Sequence, residues 1–214
     1  MEFISKKLDD YCKEHTSSAC DVLEELNRET HTSVLNPRMI SGNLQGQFLT
    51  MLSRMIRPKC ILEIGTYTGY SAICLAKGLP LDGVLHTIDV NEELEEMNAR
   101  YFKKAGFEHQ IVQHIGDASK LIPDLDLTVE MAFIDADKKN YPLYFNLLID
   151  KMKPGGWIIA DNVLWSGKVI EQVNSSDKAT HALLEYNRMV QNDPRVENLL
   201  LPLRDGLMIC RKKE

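Results

Sequence analysis

Between residues 60 and 161 the chain alternates short apolar runs with stretches of helical spacing, and that alternation leaves few folds open. The apolar runs fall at 60–64, 84–89, 111–115, 130–135 and 156–161, separated by helical patterns at 69–78, 91–105, 118–122 and 140–151. Strands joined by helices of this length pair in parallel through right-handed crossovers, giving a sheet covered on both faces. After 161 the rhythm breaks. A helix over 178–192 precedes apolar runs at 196–201 and 207–210, and Pro202-Leu203-Arg204-Asp205-Gly206 between them reads as the turn of an antiparallel hairpin. Ahead of the first strand, spacing predicts helices over 3–14 (Phe3, Ile4, Leu8, Tyr11) and 19–30 (Val22, Leu23, Leu26). A third, over 43–57, places Leu44, Phe48, Met51, Leu52 and Met55 on a face read as core, and Pro58 ends it. The expected class is α/β: a doubly wound, Rossmann-like, mostly parallel seven-stranded sheet with an antiparallel C-terminal strand and N-terminal helices. At 214 residues one domain is expected, with 1–57 as a helical extension and 58–214 as the α/β core.

Charge and cysteine usage narrow the partners. A formal net charge of −6 argues against a nucleic-acid backbone as the main ligand. Cys12, Cys20, Cys60, Cys74 and Cys210 are odd in number and form no CxxC pair, as expected of reduced thiols in a cytoplasmic protein. Met1 to Tyr11 has no apolar core of a signal peptide, and no apolar stretch approaches the roughly 20 residues that span a bilayer. The six histidines have no ligand-like spacing and read as packing or surface residues.

Two of the later predicted strands end in acids: Met131-Ala132-Phe133-Ile134-Asp135 and Trp157-Ile158-Ile159-Ala160-Asp161-Asn162. Singly, such an acid could equally cap a helix or form an ion pair. Ligands of open α/β sheets, however, sit outside the carboxyl ends of the strands. If these two strands are neighbours, Asp135, Asp161 and Asn162 converge as oxygen donors, the set preferred by a hard divalent cation such as Mg²⁺, with Mn²⁺ or Ca²⁺ as substitutes. Lys138 adds an amine a few residues away.

The first strand runs into Glu63-Ile64-Gly65-Thr66-Tyr67-Thr68-Gly69-Tyr70-Ser71. Its glycines allow a ligand to approach the backbone at a helix N-terminus. A dinucleotide fingerprint requires G-x-G-x-x-G, whereas this loop is G-x-x-x-G and carries Glu63, which repels phosphate and suits a cation. That counts against a dehydrogenase. Asp89 ends the second strand, where a carboxylate can accept from ribose hydroxyls, and Gly116-Asp117-Ala118 after the third could border an adenine. A positively charged nucleoside without phosphate fits all three: S-adenosylmethionine.

These segments, with Phe133-Ile134-Asp135-Ala136-Asp137-Lys138-Lys139-Asn140-Tyr141 and Asp161-Asn162-Val163-Leu164-Trp165-Ser166-Gly167, resemble the small metal-dependent O-methyltransferases of the catechol and caffeoyl-CoA family. Gly46-Gln47-Phe48-Leu49 and Leu201-Pro202-Leu203-Arg204-Asp205-Gly206-Leu207 also match, so the resemblance spans nearly the whole chain. It implies the methyltransferase version of the Rossmann-like fold and a homodimer. It further implies that Met39, Ser41 and Gly42 contact the methionine part of the cofactor, with Glu63, Gly65 and Ser71 around its amino and carboxylate groups, and that Tyr67 is also cofactor-binding. Asp89 would hold the ribose, Gly116, Asp117 and Ala118 the adenine, and Asp135 would border the cofactor as well as the metal. Asp135, Asp161 and Asn162 would bind Mg²⁺, and Lys138 would be the general base. Asp137 stands where the animal catechol enzymes carry a tryptophan.

The expected reaction is Mg²⁺-dependent methyl transfer from S-adenosylmethionine to a hydroxyl of a catechol-type aromatic diol. A free phenol has a pKa of about 10, so the transfer needs a metal to acidify the hydroxyl and Lys138 to take the proton. Lys138, Asn162, Trp165 and Arg204 form the expected acceptor side. A caffeoyl-CoA-type thioester and a non-catalytic cofactor-binding regulator are the alternatives. A nucleic-acid methyltransferase is disfavoured by the charge balance.

Overall fold

The computed structural model describes residues 4–214, so Phe3 of the first predicted helix lies outside the described residues. In chain order the elements are α1 (Lys6–Glu14), α2 (Asp21–Ser33), α3 (Gly42–Ile56), β1 (Cys60–Ile64), α4 (Tyr70–Ala76), β2 (Val84–Asp89), α5 (Glu95–Lys104), β3 (Ile111–Ile115) and α6 (Ala118–Asp124). They continue with β4 (Val129–Ile134), α7 (Tyr141–Lys151), β5 (Met152–Asp161), α8 (Lys178–Asn192), β6 (Val196–Leu201) and β7 (Leu207–Lys212). The strands form one seven-stranded sheet in the order β3-β2-β1-β4-β5-β7-β6, with β7 antiparallel to both β5 and β6. The doubly wound reading of the sequence holds, including the terminal hairpin.

By its contacts the chain divides into two compact units, Ile4–Ile61 with Thr66–Asp117, and Leu62–Gly65 with Ala118–Glu214. In the first, β2 and β3 pair in parallel from Leu85↔Ile111 to Asp89↔Ile115. Glu29 of α2 accepts from Arg100 (3.0 Å) and from the Tyr101 hydroxyl (2.6 Å), fastening α2 to α5. All seven residues of α4 are buried, so this helix has no solvent face. Its contact with α3 corrects the sequence reading of residues 43–57. Met51 and Met55, expected in the core, are 59% and 80% exposed, while Gln45, Gly46, Leu49, Thr50 and Ser53 are buried. The reason is close approach. A Cβ on Gly46 would lie 2.7 Å from the Tyr70 ring, Thr50 Oγ1 donates to Cys74 O (3.1 Å), and Ser53 Oγ donates to Leu75 O (2.6 Å). Small residues and hydroxyls thus bring α3 close to α4 and add hydrogen bonds to carbonyls near its C-terminus.

In the second unit, β4 and β5 run parallel from Met131↔Trp157 to Ile134↔Ala160. β5 begins at Met152, four residues before the predicted start at 156. Val129 pairs with Met152, and a register shift between Val129 and Met131 accommodates the early start as a bulge does. Two predicted helices begin later than expected because each is preceded by a single 3₁₀ turn, Glu92–Leu94 and Lys138–Asn140. Asn91 caps the first by accepting from Glu93 N (3.1 Å). Cys74 and Cys210 are buried, and none of the five cysteines is in a disulfide. Among the described residues no helix is long and apolar enough to cross a membrane.

Candidate active site

The pairing Ile134↔Ala160 puts Asp135 and Asp161 one residue further along two neighbouring parallel strands, so both acids emerge at the same edge. Asp135 N donates to Ile64 O (2.8 Å), and a Cβ on Gly65 would lie 2.0 Å from Asp135 O. With φ +102 besides, that position accepts only glycine. Asp161 is 3% exposed, and its Oδ1 accepts from Asn162 N (2.7 Å). Asn162 itself is left-handed, with φ 61, a conformation asparagine tolerates better than most residues. The Lys138 side chain is only 10% exposed; its Nζ donates to Asp135 Oδ1 (2.9 Å) and to the Tyr141 hydroxyl (2.7 Å). Tyr141 is fully buried. Burial pushes its phenol well above the ordinary range, and the charges of Asp135 and Asp161 add to that shift.

This cluster fits a divalent cation by the chemistry of its donors. Among the described residues no three His, Cys, Asp or Glu side chains gather at one point. A cation at Asp135 and Asp161 would therefore need a donor of another kind, and the amide of Asn162 is next in the chain. The ammonium of Lys138 already supplies positive charge to Asp135. The set is all oxygen, which selects a hard ion.

Beyond Asn162 the chain runs through Trp165–Ile170 as two short turns joined by a kink at Ser166 and Gly167. Trp165, Ser166 and Gly167 are left-handed in succession (φ 48, 54 and 84). The β6–β7 turn holds them: Val163 N donates to Gly206 O (3.1 Å), Leu164 N to Asp205 O (2.9 Å), and Ser166 N to the Asp205 carboxylate. Asn187 of α8 donates to Val163 O (2.9 Å). The Trp165 indole N–H is buried and has no partner among the described residues. Arg204 is exposed on the turn, with φ 51.

The residues assigned to the cofactor divide between the units. In the first, Tyr67 meets Asp89 and is itself held by Leu35 and Asn98. Its N–H donates to Asp89 Oδ2 (2.8 Å), its hydroxyl to Leu35 O (3.1 Å), and its carbonyl accepts from Asn98 Nδ2 (3.0 Å). Asn91 N donates to Asp89 Oδ1 (3.0 Å) and Gly116 N to Asp89 O (2.8 Å), which sets the carboxylate's direction and brings the end of β3 to it. Met39 closes the 3₁₀ turn Pro37–Met39 and is exposed; Ser41 and Ser71 are buried, Gly42 is left-handed, and Asp117 is exposed. In the second unit Glu63 is fully buried, Gly65 packs on Asp135, and Ala118 is buried at the start of α6. The assigned residues include Asp89 and Asp117 in the first unit and Glu63 and Asp135 in the second, and neither group contains a lysine or arginine.

The family model for O-methyltransferases matches residues 13–213. The chain belongs to the O-methyltransferase family. A caffeoyl-CoA O-methyltransferase of Mesembryanthemum crystallinum is 40% identical over 182 residues, covering 78% of this chain and 70% of that one. Among solved structures, the O-methyltransferase TomG of Streptomyces achromogenes, involved in tomaymycin synthesis and determined with SAM, superposes with a TM-score of 0.90 at 28% identity over 97% of this chain and 96% of that one. An O-methyltransferase of Bacillus cereus in complex with SAH gives 0.89 at 28% identity, covering 97% of each chain.

The roles of Tyr141 and Asp205 leave no pattern in the sequence, because each depends on where one side-chain oxygen sits. Asp137 spends its carboxylate on its own turn, accepting from Tyr144 (2.6 Å) and Asn140 (2.8 Å). His86 and His114, unremarkable by spacing, lie with ring nitrogens 3.0 Å apart on β2 and β3, and burial lowers the pKa of both.

Proposed function

We propose that this chain transfers a methyl group from S-adenosylmethionine to one hydroxyl of a vicinal aromatic diol, with Mg²⁺ (or Mn²⁺ or Ca²⁺) held by Asp135, Asp161 and Asn162. The observation that carries the reading is the placement of Asp135 and Asp161 at matching ends of paired strands with the Lys138 amine 2.9 Å from Asp135. When bound, the cofactor supplies the methyl group and the cation supplies the charge that acidifies a chelated hydroxyl.

The chain's own residues do the rest. Lys138 Nζ, as the uncharged amine, receives the hydroxyl proton and becomes the ammonium that pairs with Asp135. Glu63, Gly65 and Ser71, with Met39, Ser41, Gly42 and Tyr67, hold the methionine end of the cofactor. Asp89, oriented by two N–H groups, takes the ribose, and Gly116, Asp117 and Ala118 take the adenine. Trp165 packs on the acceptor ring and Arg204 lies at its rim. Residues 1–214 work as one methyltransferase domain with 1–57 as its helical extension. A cytoplasmic location suits the five free cysteines. The exposed Ile4, Leu8 and Tyr11, together with Met51 and Met55, support a homodimer.

A second reading takes the diol as a coenzyme A thioester, on the strength of the caffeoyl-CoA relative and an exposed arginine suited to phosphate. Methylation of catechol and of caffeoyl-CoA, each with and without EDTA, tests both. Turnover abolished by EDTA is expected, and the faster acceptor selects the reading. Full activity in EDTA removes the metal from the scheme. Cofactor binding with no turnover on either acceptor would favour a regulatory protein.

A further inference from the structure

Tyr141 opens α7 directly after the 3₁₀ turn that carries Lys138, and its hydroxyl sits at the centre of the acidic cluster. It accepts from Lys138 Nζ at 2.7 Å. Its own single proton has two backbone carbonyls in range, Asp161 O at 3.0 Å and Ile134 O at 3.3 Å. One oxygen therefore ties the lysine to the ends of both acid-bearing strands. The ring cannot swing away, because Tyr186 of α8 meets it edge-on, with centroids 5.6 Å apart, and the side chain is wholly buried.

The geometry points to Tyr141 as the positioning residue for Lys138: its hydroxyl and the Asp135 carboxylate fix two of the three directions around Nζ, so the third points one way. An unrestrained lysine has a flexible four-carbon stem and loses that direction among its rotamers. Orientation of the proton acceptor to within hydrogen-bond reach is what such a site requires. Asp135 alone cannot provide it, since a single hydrogen bond leaves the amine free to rotate about that contact. The inference rests on the reading of Lys138 as the base, although the hydrogen bond can be tested without it.

Tyr141→Phe keeps the ring and removes only the hydroxyl. Two readouts decide. In nuclear magnetic resonance of the amine groups of the folded protein, identified by its loss in Lys138→Met, the Lys138 N–H signal should be protected from exchange in the parent and lost in Tyr141→Phe. A retained, protected signal overturns the inference, whatever the turnover. In kinetics with catechol, Tyr141→Phe should lower kcat about tenfold with KM for S-adenosylmethionine unchanged, and should lower it no further in a Lys138→Met background. An equal drop in both backgrounds would mean that Tyr141 acts on the fold rather than through the lysine, and also overturns it. If Lys138→Met itself leaves kcat unchanged, the base assignment fails, and the resonance measurement alone still decides whether Tyr141 holds the amine.

Discussion

Ser166 donates its backbone N–H to the carboxylate of Asp205, joining the chain after β5 to the β6–β7 turn across 39 residues of sequence. Burial raises the Asp205 pKa, and the Ser166 N–H works against that rise. Three consecutive left-handed residues persist only where their surroundings hold them, and this bond is part of that hold. Asp205→Ala should free Trp165. Acceptor KM should rise on the order of tenfold, about 1.4 kcal/mol, with KM for S-adenosylmethionine unchanged. Steady-state kinetics with catechol check this, and an unaltered acceptor KM would detach Trp165 from acceptor binding.

Gly65 faces a backbone atom, which cannot move aside as a side chain can. Gly65→Ala should cost at least about 2 kcal/mol, from the left-handed backbone and the collision with Asp135 O. Urea denaturation reads the loss directly.

Asp161→Asn separates stability from metal binding. The variant removes one negative charge from a pair of acids while keeping an oxygen that can accept from Asn162 N. Mg²⁺ affinity, measured by calorimetry, should fall at least roughly tenfold because ligand charge sets the affinity of such sites. The Tm in EDTA should stay level or rise. A Tm loss without any change in Mg²⁺ affinity would make Asp161 a structural residue.

Glu29 carries an acid-side signature. Hydrogen bonds from Arg100 and Tyr101 lower its pKa from 4.5 to about 2. A depressed folded-state pKa contributes stability above the unfolded value and loses it as pH falls through the folded one. Glu29→Gln should therefore be less stable than the parent at neutral pH, by no more than about 1 kcal/mol for so exposed a pair. The gap should narrow from about pH 5 down to about pH 2. Denaturant titrations at several pH values test the sign; a gap that widens on acidification would contradict it.

The strand ends were legible because a buried parallel strand is nearly all apolar and its terminal acid stands out, as Asp135 and Asp161 do. The α3 face was not. Hydropathy ranks Met51 and Met55 above Gly46, Thr50 and Ser53, yet a helix meeting the wholly buried α4 at close range selects small side chains and hydroxyls that reach its carbonyls. Tyr141 was hidden for a related reason: its value lies in where one oxygen sits relative to Lys138 and two backbone carbonyls, and residue type alone does not encode that position.

The contrast between α4, buried at every residue, and α1, buried at none, also sets where this chain is free to drift. Along Tyr70–Ala76 each substitution is felt by packing, so the segment behind the glycine loop admits almost no neutral variation. Along Lys6–Glu14 nearly any helix-compatible residue is tolerated by the fold. Random mutagenesis scored only for folding should therefore empty the first stretch of variants and fill the second. Any constraint later found on Leu8 or Tyr11 would report something those side chains meet outside their own chain.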